Sequence, residues 1–535
     1  MLAVLCLVGA MAAGQPEGPP AVEEKIFTPE TSVLFALADV QTLPPDIQPY
    51  IRYLAVYNEP KDRRKILAQI SSFVCNSLGT KKKMYIPQFV GGTDETVIRI
   101  NIADYNWKPE VWDKLAREGS GPRPFPEPYF HLRVARKVEV EFAPVVEKKL
   151  VKRTVTKNIV AGYYSNGQPY YRQQQVEEEV EEEVELKVPV KQTNKNEVQA
   201  SAAWINADAV VKLANLTKSE SPILRADWFI VNAMLPPLYY DFLNLGKTRE
   251  DFEKFSFADE KTSEKANALD AAVVVYSEVT RNNRRMRRSP TLRNGYYWAT
   301  FDLLSSTKGN KATVKPTEFK FDAQEIISSL PNGLQAYWLS NGNKERQDEA
   351  PINIAKDNTA VDRVVRTGRS CVICHVDGIR PINDEIREGT KPDGHNSSVQ
   401  IIIGDKKDAY QTDDLFGSDL QKQITLDQQK YADAVAASSG FKVVENAKHF
   451  AEIYDHYVEN LITKEVIARD CGISMTELDK YLQMAKDNVL NGLTKRQPRV
   501  VRRDQFEESF ADFMLIVTAN KLKPGTVPRV VIPLK

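Results

Sequence analysis

Any fold available to this chain has to accommodate Cys371-Val372-Ile373-Cys374-His375. Two thiols three positions apart can each add across a porphyrin vinyl group, and the adjoining imidazole can then ligate the iron. The C-x-x-C-H pattern reads as the attachment of one covalent c-type haem, through Cys371 and Cys374 with His375 as axial metal ligand. Cysteine and histidine number only five each, so a chance coincidence of this kind is rare. The same thiol spacing also serves dithiol redox pairs and halves of zinc sites. A zinc site needs further ligands at short spacing, and no second C-x-x-C or H-x-x-x-H follows.

The 535 residues suffice for several cores. Acidic and basic residues balance at 72 each, which excludes the basic excess of a nucleic-acid footprint. No interior apolar run of about 18 residues occurs, so no transmembrane helix is expected. The stretch from Leu2 to Ala12 has the apolar texture of a secretory signal ending in an A-x-A site, although a basic leader segment is missing. It predicts a signal peptide over 1–12 and export to a periplasmic or extracellular location. Cys6 offers a lipoprotein alternative, which the following Leu-Val-Gly does not support. Cys75 and Cys471 remain, either paired in an oxidising compartment or as two buried thiols.

The chain reads as α+β in several parts. An N-terminal α+β domain is expected over 25–130. There Ile66, Ile70, Phe73, Val74 and Leu78 fall at helical spacing within Asp62–Leu78, and Ile98, Ile100 and Ile102 alternate as in a strand. Residues 131–200 are rich in valine among charges, and Asn166-Gly167 is a turn signal. A long charged β-hairpin insertion is favoured there over a helix with one thin stripe. Its acidic arm, Glu177 to Glu183, either attracts a cationic partner or Ca²⁺ or is a solvated face. A haem-binding core over 201–410 concentrates aromatics, among them Trp228, Tyr239, Tyr296, Trp298 and Tyr337. Arg281, Arg284, Arg285, Arg287 and Arg288 form a basic cluster there, suited to haem propionates, to an acidic partner, or to a solvated loop or helix face.

The remainder, 411–535, reads as mainly helical. Phe450, Ile453, Tyr454, Tyr457 and Leu461 make one stripe, and Gly472 sits in the turn of a helical hairpin. Val527 to Leu534 is a candidate strand.

Near the motif, Arg363, Arg366, Arg369 and Arg380 are candidate partners for the haem carboxylates. A backbone carbonyl near Pro381 is a candidate acceptor for the proximal imidazole N–H. The sixth iron position decides function: Met raises the potential, a second His lowers it, and an open site admits peroxide or a gas. His395 is the candidate nearest in sequence on the C-terminal side. His449, His456, Met475, Met484 and Met514 follow, and none sits in a pattern that commits it.

At this point the chain resembles large exported monohaem c-type cytochrome-domain proteins of the planctomycete and myxobacterial kind, a family of unassigned activity. The resemblance runs through Pro222 to Phe229, Asn282-Asn283-Arg284, Gly295 to Trp298, Leu330 to Tyr337 and Gly368 to His375. It implies an exported protein with covalent haem on Cys371, Cys374 and His375, and it places Arg225, Trp228, Arg284 and Gln335 near that haem. The expected work is one-electron transfer with a redox partner protein. The alternatives are a peroxidase with an open distal site, in which an Arg and a Trp or Gln polarise peroxide, or a haem-based sensor whose hairpin recruits a partner.

Overall fold

The structure is a computed structural model that describes residues 27–120, 132–200, 207–265, 270–274, 284–303, 320–352, 355–360, 362–385, 420–458, 461–484, 500–521 and 531–533. The proposed signal, His395 and the Arg281 end of the basic cluster lie outside these residues. The chain is mixed α+β and divides into two compact units.

The first unit joins 1–130 to 202–526, so three stretches that differ in sequence texture share one body. Backbone pairing shows how. Strand β1 (Ile51–Ala55) lies antiparallel to β3 (Val97–Asn101), which also pairs with the short β2 (Gln88–Phe89). The far edge of β1 pairs in parallel with β6 (Ile223–Arg225), a partner about 170 residues on. Strand β1 is buried at every position, as expected of a central strand covered on both faces. The helix at Lys61–Ser77 matches the apolar spacing of its sequence and follows Pro60.

Strands β7 (Asp270–Val274), β8 (Arg284–Pro290), β9 (Tyr296–Asp302), β10 (Ala323–Ser329), β11 (Gln335–Asn341) and β12 (Arg346–Gln347) form an antiparallel meander in chain order. One face of this sheet is packed by the helix Arg249–Ser256, whose Phe252 stacks on Trp338 at 5.7 Å and lies 6.1 Å from Tyr297. Alternation sends Arg284, Met286, Trp298, Thr300, Glu325 and Ile327 to the opposite face. The helix Leu420–Ser439 is tied to that sheet through Asp427, which accepts two hydrogen bonds from the Arg288 guanidinium and one from the Trp298 indole. The basic cluster is therefore not a solvated face: Arg284, Arg285 and Arg288 are buried on a strand.

The C-terminal region is mainly helical, with Gly472 at φ +62° closing Lys464–Cys471 before Met475–Met484 begins. Leu461 departs from its expected helical stripe. It lies exposed in β13 (Leu461–Thr463), paired with β14 (Val500–Arg502). Cys75 and Cys471 stand as separate buried thiols.

The second unit is the hairpin, residues 131–201 with 527–535. Strands β4 (Leu132–Tyr163) and β5 (Pro169–Ala200) pair antiparallel along their length, and β15 (Val531–Pro533) adds to β5. Register shows what stands across the ladder from the acidic arm. Lys148, Lys149, Lys152 and Arg153 stand opposite Glu183, Glu182, Glu179 and Glu178, and Lys157 forms an ion pair with Glu178. Basic positions of one strand thus stand in register with acidic positions of the other, the arrangement that favours cross-strand pairing.

Candidate functional site

The motif forms a single short helix, Arg369–Cys374, with Gly368 at its N-cap and His375 at its C-cap. Gly368 precedes it at φ +84°, a conformation that side chains rarely adopt, and a Cβ there would overlap the Met234 carbonyl oxygen. That close approach lets the Arg369 amide donate to Met234 O at 3.0 Å. The turn itself is carried by Val372 N–H to Gly368 O at 3.0 Å and His375 N–H to Cys371 O at 2.8 Å.

Past the helix, Gly378 turns at φ +85°, in a space where a Cβ would meet Tyr431 at 3.1 Å and Gln335 at 3.2 Å. Its carbonyl oxygen lies 3.0 Å from His375 Nδ1. A carbonyl can only accept, so Nδ1 carries the proton and the neutral imidazole keeps its lone pair on Nε2. The acceptor expected near Pro381 is thus supplied three residues earlier. Burial lowers the His375 pKa to about 4, with the Arg380 and Arg284 charges acting the same way against the Gly378 bond. The ring packs beside Tyr337, centroids 6.4 Å apart.

Cys374 and His375 open onto a cavity of about 860 Å³, within the size range of cofactor sites. The polar-edged floor is the sheet face named above, and the opposite wall is the segment Ile373–Asn383. Cys371 faces a smaller adjoining cavity, which shares Glu325, Ile327, Cys374 and His375 with the first. Burial pushes both thiols up, Cys374 to about 11 and Cys371 further. Reactive dithiol centres need the reverse, a lowered thiol pKa.

Of the remaining sequence candidates, two arginines line the cavity. Arg284 is held 2.5 Å from Asp302 and 3.2 Å from Glu325, while Arg380 is exposed at the rim. Burial raises the Asp302 carboxyl against the pull of Arg284. Arg369 lines neither cavity. It is fully buried, ion-paired with Asp357, 3.1 Å from Thr359 and 4.4 Å over the Tyr454 ring, and so docks the motif helix on Val443–Val458. Desolvation opposes ionisation of Asp357, but bonds from Ser370 and Thr359 and the Arg369 charge hold its pKa below the usual carboxylate value. Arg366 is likewise engaged, with Asp362 and Glu349.

Arg225 and Trp228 line neither cavity. Arg225 is buried against Asp227 and lies 3.2 Å from Asp470, and Trp228 is core on the helix Ala226–Ala233. Gln335 stands one step behind the imidazole. It donates to the Tyr296 hydroxyl at 2.9 Å and accepts from Tyr337 Oη at 3.0 Å, which fixes the ring beside His375. Among the downstream candidates, His449 sits 3.1 Å from Glu452, His456 is part-buried, and Met475 and Met484 are exposed rather than core. None of these four lines the cavity. Sequence reasoning missed Met286 as a cavity residue and marked Trp298 only among the aromatics that could be core or line a haem. Trp298 was visible only as one of many aromatics, and Met286 only as one residue within a run of arginines.

Comparison with family models, curated proteins and solved structures finds no match for the chain.

Proposed function

We propose that this protein holds one covalent c-type haem on Cys371, Cys374 and His375 and uses it for one-electron exchange with a redox partner protein. One observation carries the reading. The terminal His of a C-x-x-C-H helix projects into a cavity of cofactor size, with its Nδ1–H donated to Gly378 O and its Nε2 lone pair left for a metal. When bound, the group would supply reversible ferrous–ferric cycling. Cys371 and Cys374 would anchor it, and the Gly378 carbonyl would orient His375 and raise its basicity. Trp298, Ile327 and Met286 would exclude water from its faces. Arg380 at the rim would meet its carboxylates, while Arg284 stays paired with Asp302 and Glu325.

One feature weighs against a reactive dithiol pair: both thiols are raised rather than lowered. The peroxidase alternative calls for an arginine and a Trp or Gln disposed toward peroxide. Here Arg284 is committed to two carboxylates, Trp298 to Asp427 and Gln335 to two tyrosines. Export, read from residues 2–12, would deliver the chain to a compartment for such a carrier.

The test is intact mass after co-expression with c-type maturation machinery. One haem mass retained under denaturing conditions is expected, with single-link species for Cys371→Ser and Cys374→Ser. Unmodified protein would overturn the reading.

A further inference from the structure

We infer that a cleft at one end of the meander, where the β8–β9 and β10–β11 turns meet, is a second binding site, and that it takes a small hydroxylated organic anion, a carboxylate or a phosphate ester. The cleft measures about 760 Å³, within the size range of small-molecule sites, and shares no lining residue with the cavity at His375. Its walls are tied in place. In the β8–β9 turn Gly295 N–H donates to Thr291 Oγ1 at 3.0 Å, and Leu292 N–H donates at 3.0 Å to Phe257 O, just past the helix Arg249–Ser256. The β10–β11 turn is held by Asn332, which accepts from Leu334 N–H at 3.1 Å and donates to Asn76 O at 2.9 Å. The helix Leu420–Ser439 closes another side, packed so near that a Cβ on Gly333 would lie 3.0 Å from that of Ala434.

Charge decides the ligand. The Arg293 guanidinium carbon sits 3.5 Å from the centroid of the Phe257 ring. That cation–π contact holds the group by its face and leaves its N–H edge free, the edge that grips a carboxylate or phosphate through two parallel bonds. Among the described residues Arg293 has no carboxylate partner. Lys430 reaches the same turn, donating to Asn294 O at 3.2 Å, which brings its ammonium close to Arg293 without neutralising it. Against these two cations stands one lining carboxylate, Asp433, which accepts from Gln429 at 2.8 Å. A bound anion relieves the repulsion between them. The amides on the lining supply the rest. Asn106 donates to Thr80 Oγ1 at 3.0 Å, which leaves its side-chain oxygen as an acceptor, and Asn244 accepts from the Lys108 ammonium at 2.8 Å, which leaves its NH2 as a donor. Acceptor and donor together suit hydroxyl groups, each of which does both.

The experiment titrates gluconate, glucose 6-phosphate, glucose and inorganic phosphate into the full-length protein by calorimetry, for the wild type, Arg293→Gln, Lys430→Gln and Lys422→Gln, with a thermal melt of each variant. Lys422 is exposed on the same helix as Lys430 but away from the cleft, so it controls for loss of charge alone. The expected result is saturable binding of gluconate, of glucose 6-phosphate or of both, which also tells carboxylate from phosphate, with no saturation by glucose and weaker binding of inorganic phosphate. Kd should rise about tenfold or more in Arg293→Gln, the loss of a charged hydrogen-bonding partner, and severalfold in Lys430→Gln, while Lys422→Gln matches the wild type. No saturation by either sugar anion would overturn the site. Glucose binding as tightly as gluconate would overturn the role of charge, and inorganic phosphate binding as tightly as the sugar anions would overturn the hydroxylated class. Arg293→Gln that lowers the melting midpoint yet keeps the wild-type Kd would show the arginine serving only the negative end of the helix Arg249–Ser256, and would overturn the assignment too.

Discussion

Replacing Gly368 with alanine tests how the motif helix is seated. Its φ of +84° and ψ of −82° cost a non-glycine residue about 1–3 kcal/mol. The added Cβ also overlaps the Met234 carbonyl oxygen, a backbone atom that cannot swing away, and such overpacking costs about 1–3 kcal/mol. Relief by backbone movement would break the Arg369 N–H bond to Met234, worth about 1 kcal/mol. The total, about 3–7 kcal/mol, is a large share of a typical stability of about 5–15 kcal/mol. Gly440→Ala is the internal control. Its φ is similar, +77°, but a Cβ there meets only the Gln69 amide at 3.3 Å, so about 1–2 kcal/mol is expected. Urea unfolding followed by tryptophan fluorescence should show a far larger loss for Gly368→Ala than for Gly440→Ala. The fraction of chain that acquires covalent haem should drop in Gly368→Ala alone. Equal losses in the two variants, or a Gly368→Ala loss below about 1 kcal/mol, would refute the contact argument.

Removing the Asp427 carboxylate with alanine takes the common partner from buried Arg288 and Trp298, and should destabilise the first unit by about 3–5 kcal/mol in denaturant melts. Asp427→Asn should recover part of that loss by restoring the indole acceptor. Burial raises the Glu507 carboxyl to about 7, despite Arg503 and the 2.6 Å bond from Tyr457. Its folded pKa lies above its unfolded value of 4.5, so its contribution is full below pH 4.5 and fades as pH rises to about 7, by about 3 kcal/mol. Glu507→Gln should flatten stability against pH across that window, and an unchanged slope would contradict the assignment. Because the hairpin is a compact unit of its own with charges opposed along its ladder, replacing residues 140–188 by a short turn should leave the unfolding midpoint of the remaining unit and its haem spectrum unaltered. A shifted spectrum would show that the arm belongs to the pocket.

Local chemistry was legible along the chain. The helix over residues 61–77, the strand at residues 97–101 and the hairpin about Asn166-Gly167 all follow from spacing, turn residues and alternation within a few residues. The C-x-x-C-H pattern of Cys371, Cys374 and His375, on which the proposed haem attachment rests, is likewise a property of five consecutive positions.

What surrounds them is not local. Strands β1 and β6 meet in parallel across a separation that no periodicity spans, and this pairing merges textures that looked like separate domains. Arg284 and Arg288 read as a charged surface because opposite charges far along the chain, on Asp302, Glu325 and Asp427, neutralise them only after the meander and the helix Leu420–Ser439 come together. The chain alone determined the local pattern from which an attachment is proposed, because covalent and turn chemistry depend on neighbours in sequence. Only the tertiary structure decided what faces that group, because strand register, set by pairing across the sheet, chooses which alternate residues, Met286 and Trp298 among them, turn toward the cavity.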